Sequence, residues 1–383
     1  MMQKTGLILS GGGARAAYQV GVLKAIHRLL PKGHYYPFDI ISGTSAGAIN
    51  GAALASFANN YRIGIRHLER IWSNFSCDQI YHTDTVGLSR ALMRMTGGLL
   101  LGARRREVPL ALLDNTPLRQ LLAEVIRFDA IEDAINNQHL HALAINCSGL
   151  SSGQSVAFFQ GHYSLSNWQR QRRIGRRSEL TLDHLMASAA IPMIFPAVRL
   201  HHEFYADGAV RQLAPMSPAL HLGAEKLLVI GVSGRAHRSN PPPMQDEPYP
   251  TPAKVMGHML NAAFLDSMET DIERLQRINR TVSLIPEKVR KRQAMELRHI
   301  GLLEISPSQS LDDIAGQHVN EMPKALRLLL GGSGNAANNG SGILSYLLFS
   351  RGYCQALIQL GYDDGLQRAD EIRQFFSDHF QDQ

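Results

Sequence analysis

Cysteine is scarce in this 383-residue chain: there are three, Cys77, Cys147 and Cys354, odd in number and far apart. They offer neither a disulfide framework nor metal-ligand spacing, which excludes a stapled secreted scaffold and points to a reducing compartment. Long apolar runs are lacking too. No uninterrupted stretch approaches the length needed to span a bilayer. Met1-Met2-Gln3-Lys4 leads straight into the strand-like Thr5–Leu9, without the apolar core of a signal peptide. The expectation is a cytoplasmic protein, soluble or peripherally attached to a membrane. No nucleic-acid module is readable, so the net charge of +6, with its arginines bunched, suits an anionic membrane surface better than nucleic acid. Hydrophobic residues at 44% and charged residues at 19% are those of a globular chain, long enough for one large α/β domain or two smaller ones.

The stretch around which the rest is organised is Phe38–Asn50. An apolar, strand-like run enters Gly43-Thr44-Ser45-Ala46-Gly47, a G-x-S-x-G pentapeptide, and a helix of small residues leaves it. A serine on such a strand-to-helix turn has its hydroxyl lifted out of the packed layer. Gly43 and Gly47 flank it because a Cβ there would crowd the turn or the adjacent backbone. Upstream, the buried strand Thr5–Ser10 ends in Gly11-Gly12-Gly13-Ala14-Arg15-Ala16, and a helix follows to about Leu30. A glycine-rich loop opening a helix aims several N–H groups at one point, where a phosphate or a developing oxyanion can sit. Neither nucleotide fingerprint fits. A P-loop needs Gly-Lys-Ser/Thr where this chain has Ala14-Arg15-Ala16, and Ala16 fills the last glycine slot of G-x-G-x-x-G. In a parallel sheet the loop and the serine would share the carboxyl edge, as oxyanion hole and nucleophile do.

Further along, Leu88–Arg106 mixes apolar residues with Arg104-Arg105-Arg106 and reads either as a surface hairpin or as a lid or membrane-contact segment. Trp168–Arg177 carries a second arginine run, which reads as a solvated face or a headgroup contact. Phe204-Tyr205-Ala206-Asp207-Gly208-Ala209 puts an aspartate at the end of a short strand, in a tight turn. Leu227–Ser233 and Ile300–Ile305 read as strands, Ala253–Arg280 as a long helix and Thr281–Ile285 as a strand. Residues 235–252 are a proline-rich loop, and Gly331–Gly342 is a low-complexity linker before a helical tail.

Four blocks in this order, Gly11–Arg15, Gly43–Gly47, Ala187–Pro192 and Asp207–Ala209, resemble the sequence blocks of the patatin-like phospholipases, over roughly residues 5–220. The resemblance implies a three-layer α/β/α domain with a mostly parallel sheet over 5–221. A C-terminal extension follows over 222–330, then a linker over 331–342 and a helical tail over 343–383. It also implies a serine–aspartate dyad that hydrolyses acyl esters of lipids through an acyl-enzyme, without metal or cofactor. Ser45 would be the nucleophile and Asp207 the proton acceptor. Gly11, Gly12 and Gly13 would form the oxyanion hole, with Arg15, Gly43, Gly47, Gly208 and Ala209 in support. An ordinary aspartate is a poor base, so burial has to raise its pKa. Two other readings stay open from the residues alone. One is a Ser-His-Asp carboxylesterase or lipase, since the chain holds 16 histidines, including His201 and His202 just before Asp207. The other is a non-catalytic module whose glycine loop only holds a phosphate or lipid.

Overall fold

The computed structural model describes residues 3–30, 36–82, 93, 111–234, 249, 252–293, 297–329 and 342–377. Apart from Met93, the Leu88–Arg106 segment lies outside them, as do the proline-rich residues 235–248 and the glycine-rich residues 331–341. Within the described residues ten strands make one sheet. They are β1 (Thr5–Leu9), β2 (Ile40–Thr44), β3 (Ala142–Gly149), β4 (Ser155–Gly161), β5 (Trp168–Arg170), β6 (Arg173–Arg177), β7 (Val198–Leu200), β8 (Glu203–Asp207), β9 (Lys226–Ile230) and β10 (Gly301–Ile305). The order is β10-β9-β1-β2-β3-β4-β6-β5, with β8 on β3 and β7 on β8. From β10 through β3 every pairing is parallel, and β4 returns antiparallel.

Period-two alternation splits the central strands between two cores. Leu7, Leu9, Ile41, Leu143, Ile145, Leu228 and Ile230 face one. Ile8, Ile40, Ala142, Ala144, Leu227 and Val229 face the other. Helices cover both faces, so the architecture is α/β/α around a mostly parallel sheet. The first face carries α1 (Ala17–Leu29), α2 (Ala46–Ala55) and α3 (Tyr61–Trp72). The helix α4 (Thr116–Val125) and the short α5 (Leu182–Ser188) lie near the carboxyl edge of the sheet. The second face carries α6 (Ser267–Ser283), through Met268, Ile272 and Leu275.

Two elements differ from the sequence expectation. The strand expected at Thr281–Ile285 is the end of α6, because the buried Ile272, Leu275 and Val282 continue a helical period. The long helix before it is interrupted by one π-helical turn, Ala262–Asp266, whose extra residue turns Phe264 and Leu265 into the core. The arginine run at 168–177 is a β-hairpin, β5–β6. The residues after the glycine-rich stretch are helical and share the main core: α7 (Ile343–Leu347) and α8 (Arg351–Gln367) bury Tyr346, Tyr353, Cys354 and Leu357 completely. Each large apolar side chain so buried stabilises the packing by roughly 2 kcal/mol. Helices α1 and α8 approach backbone to backbone. A Cβ on Gly21 would fall 2.0 Å from the Ile358 carbonyl oxygen, and one on Gly361 would fall 2.1 Å from that of Tyr18. The Tyr18 hydroxyl donates to Asp364 (2.9 Å) across the same contact. Among the described residues, no helix is long and apolar enough to cross a membrane.

Candidate active site

The sheet register itself brings Ser45 to Asp207. Along β3, Asn146 pairs with Thr44, the last residue of β2, and the next residue, Cys147, pairs with Asp207, the last residue of β8. Strand β2 runs parallel to β3 and β8 antiparallel, so their carboxyl ends meet head to head in one slot beside β3. Ser45 follows Thr44 immediately. Its backbone takes φ +55°, a left-handed conformation that a serine adopts only when its surroundings impose it. What imposes it is close packing on both sides. A Cβ on Gly47 would lie 2.3 Å from the Leu9 carbonyl oxygen, and one on Gly43 would lie 2.5 Å from Gly47 O. The Ser45 N–H donates to Ser188 Oγ (2.9 Å), and that hydroxyl donates to Asn146 O (2.6 Å). Asn146 Nδ2 donates in turn to Gly43 O (2.8 Å), so the elbow is held from both flanks. Gly208 fits under the junction because a Cβ there would be 2.3 Å from Asn146 O.

Asp207 is completely buried. Burial pushes its carboxyl pKa up to about 7, while the Ser45 hydroxyl and the Ala209 N–H pull it back down. The Ala209 N–H donates to Oδ1 (3.0 Å), and Oδ2 is left buried with no hydrogen bond of full geometry. A buried carboxylate oxygen facing a serine hydroxyl, with its pKa near neutrality, can accept that hydroxyl's proton.

The glycine loop lies on the other side of the serine. A Cβ on Gly11 would be 3.1 Å from Ser45 Cβ and 2.4 Å from the ring of Phe264, the π-turn residue. Gly13 takes φ +54°, and a Cβ there would strike the Tyr346 carbonyl oxygen at 2.2 Å, so only glycine fits. Gly13 opens a 3₁₀ turn, Gly13–Ala16, that leads into α1, and Ser45 caps α2. Two helix N-termini therefore point at one place. Arg15 does not reach that place. Its guanidinium is buried and donates to Ser345 Oγ (2.8 Å) and Asp312 Oδ1 (2.7 Å), with its Cζ 4.1 Å from the centre of the Tyr346 ring. Arg15 ties the loop to the C-terminal part of the chain.

Ser45 sits at the base of a cleft of about 670 Å³, open mouth included, lined almost entirely by carbon. Ile49 and Ala53 come from α2, Leu68 and Trp72 from α3, and Leu118, Leu121, Leu122 and Val125 from one face of α4. Tyr346 and Phe349, far down the chain, complete the wall. Such a lining suits an apolar group and offers little to a polar one.

Among the described residues no histidine lines this cleft. His201 and His202 form the exposed turn between β7 and β8, at the opposite end of β8 from Asp207. The buried His184 packs edge-on against Phe158, 4.8 Å between ring centres, and its imidazole is held at pKa about 4 by burial. Among the described residues no group of three or more His, Cys, Asp and Glu side chains is arranged to hold a metal. Sequence reasoning missed Ser188, Asn146, Tyr346, Ser345 and Asp312. Ser188 lay inside a quoted block. The other four carry no local signal, being joined to the site across long stretches of chain or by register alone.

Comparison with known proteins bears on the family of the chain. The Patatin-like phospholipase family profile matches residues 7–220. A cGAMP-activated phospholipase of Pseudomonas aeruginosa is 26% identical over 215 residues, covering 56% of this chain and 55% of that protein. The chain thus spans about half the length of that relative. Lysophospholipase nte1 of Aspergillus terreus is 49% identical over 57 residues, 15% of this chain and 3% of that protein. Among solved structures, human GIVD cytosolic phospholipase A2 aligns over 98% of this chain and 60% of its own, at 12% identity and a TM-score of 0.42. With more than half of its length matched by the family profile, the chain belongs to the patatin-like phospholipase family.

Proposed function

We propose that the chain is a lipid acyl hydrolase, of phospholipase A or lysophospholipase type, working through Ser45 and Asp207. The observation that carries the reading is the head-to-head meeting of β2 and β8, which sets a strained serine against a buried carboxyl of pKa about 7 at the base of an apolar cleft. Ser45 Oγ attacks the ester carbonyl carbon while Asp207 takes the hydroxyl proton. The carbonyl oxygen becomes an oxyanion and is held by backbone N–H groups of Gly11, Gly12 and Gly13. One such donor contributes on the order of 3 kcal/mol. Collapse of the tetrahedral intermediate breaks the ester C–O bond, and the leaving alkoxide receives the proton from Asp207. Water then repeats the sequence on the acyl-enzyme and releases the fatty acid. Throughout, the acyl chain lies among Leu68, Trp72, Leu118, Leu122 and Phe349.

The dyad is favoured over a histidine-assisted triad because no histidine among the described residues lines the cleft and burial raises Asp207 into the range of a working base. Release of fatty acid from a panel of phospholipids, lysophospholipids and neutral lipids tests the reading and fixes the subtype. Wild type should release fatty acid from at least one of them and Ser45→Ala from none. Equal release by both proteins would overturn the assignment.

A further inference from the structure

Three β-hairpin turns leave the sheet at the same edge as Ser45, and the register shows it. Strand β3 continues past the end of β2 to Gly149, then turns through residues 150–154 into β4. Ser155 at the start of β4 pairs with Arg173 at the start of β6, so the β5–β6 turn at Gln171 and Arg172 stands at the same height. Strand β8 pairs with the last residues of β3, so the β7–β8 turn at His201 and His202 projects further out still. The turns are joined to one another: Leu150 N donates to Phe204 O (2.9 Å), and Glu203 accepts from Ser151 N and Ser152 N (2.9 and 2.6 Å).

These turns present apolar tips and exposed arginines together. Leu150 and Phe204 are about half exposed, at 53% and 50%. Val210 and Leu213, just beyond Asp207, are exposed at 46% and 72%. Around them stand the exposed Arg170, Arg172, Arg199 and Arg211, none ion-paired to a described acidic side chain. The one carboxylate among the turns, Glu203, is already occupied by the two serine N–H groups, which hold its pKa down against its partial burial. Apolar side chains grouped together and rimmed by polar or charged ones mark an interaction surface. The combination is complementary to a surface that is negative outside and apolar a few ångströms in.

We infer that the rim formed by the 150–154, 171–172 and 201–204 turns and the Val210–Leu213 segment is the docking face for an anionic lipid bilayer, with Leu150, Phe204 and Leu213 entering the headgroup layer. The inference rests on the acyl-ester reading only in that a bilayer would supply the substrate. The rim shares its edge with Ser45 and Asp207, so docking brings the catalytic edge to the membrane without any change in the sheet.

The test uses the full chain and sedimentation with phosphatidylcholine vesicles, with and without phosphatidylglycerol, at low and high salt. Two variants are compared with wild type: Arg170→Gln with Arg172→Gln, and Leu150→Ser with Phe204→Ser. Thermal melting checks that each variant folds, and turnover of a short soluble ester reads the catalytic site separately. Wild type should bind phosphatidylglycerol vesicles and be released by salt. The arginine pair should bind roughly thirtyfold more weakly, the apolar pair should lose binding at both salt concentrations, and soluble-ester turnover should be unchanged in both. Vesicle binding that survives both double substitutions would overturn the proposal. Loss of soluble-ester turnover in step with vesicle binding would also overturn it, as would wild type that is retained by RNA but not by vesicles. A wild type that binds vesicles through these residues but hydrolyses no ester would sink the catalytic reading and leave the docking face standing.

Discussion

Two regions meet over the glycine loop, and they hold it by opposite means. On one side are the elbow and the Asp207 turn, within the family-matched residues 7–220. There, backbone fixes position: a serine at φ +55°, glycines with no room for a Cβ, and two strands whose ends meet in one register slot. On the other side are Asp312 and Ser345–Phe349, outside that match. There, side chains do the holding: Arg15 reaches 330 residues along the chain to Ser345 and 297 to Asp312. The Tyr81 hydroxyl fastens the same segment through Leu347 O (2.7 Å). The proposed chemistry is thus built from local constraints, and its support from distant ones.

The largest effect expected is on the local side. Ser45→Ala should remove hydrolysis of p-nitrophenyl esters altogether while leaving thermal stability near wild type. Retained activity would move the nucleophile elsewhere. Asp207→Asn should cost several orders of magnitude in kcat/KM, with His201→Ala and His202→Ala mild. It should also stabilise the fold, and the sign follows from the direction of the pKa shift. Burial favours the neutral acid, so the stability this group contributes is fully present below its unfolded pKa near 4 and is lost as pH rises through about 7. At pH 8 the asparagine variant should be more stable by up to about 4 kcal/mol. Denaturant titrations of both proteins across pH 4–8 would show the difference open with rising pH, and two parallel curves would contradict it.

Next come substitutions that sever the two regions. Arg15→Ala leaves a partly buried carboxylate at Asp312 without its cation and should destabilise by about 3 kcal/mol or more. It should also lower kcat, as the loop loses its brace. A full kcat in a destabilised variant would show that the brace supports the fold alone. Gly13→Ala tests the junction itself. With φ +54° and the Tyr346 carbonyl in the way, it should lower kcat by about a hundredfold, which is the effect of one displaced oxyanion donor. The smallest effect belongs to Ser345→Ala, which removes the hydroxyl that accepts from Arg15 and lies within hydrogen-bond distance of Asp312 Oδ1 and Gly342 O, and should cost about 2 kcal/mol in urea unfolding with kcat changed only a few-fold.

The same division explains what could be read from the sequence. Strands β1 and β2, the elbow and the Asp-Gly turn were legible because each is a run of adjacent residues with one conformational demand. The α/β/α class was implied by the family resemblance that these blocks carry. The end of α6 was misread as a strand because Thr281-Val282 has β-branched composition, and only its burial in step with Ile272 and Leu275 shows the helical period. The role of Tyr346 and Phe349 in the cleft was not legible at all. They follow a glycine-rich stretch and fit an ordinary amphipathic pattern, and nothing short of the packing of α8 on α1 places them beside Ser45. Arg15 stood out in sequence only as a charge beside glycines; its partners fix its role.

The most direct test of the Ser45–Asp207 pairing is the rate and position of covalent labelling by a fluorophosphonate, followed by peptide mass spectrometry across pH. One adduct is expected, on the peptide containing Ser45. Its formation rate should rise with pH to a plateau, with a midpoint near the Asp207 pKa of about 7, and the pH-dependent limb should vanish in Asp207→Asn. An adduct on another residue, or a Ser45 labelling rate indifferent to both pH and the asparagine substitution, would contradict it.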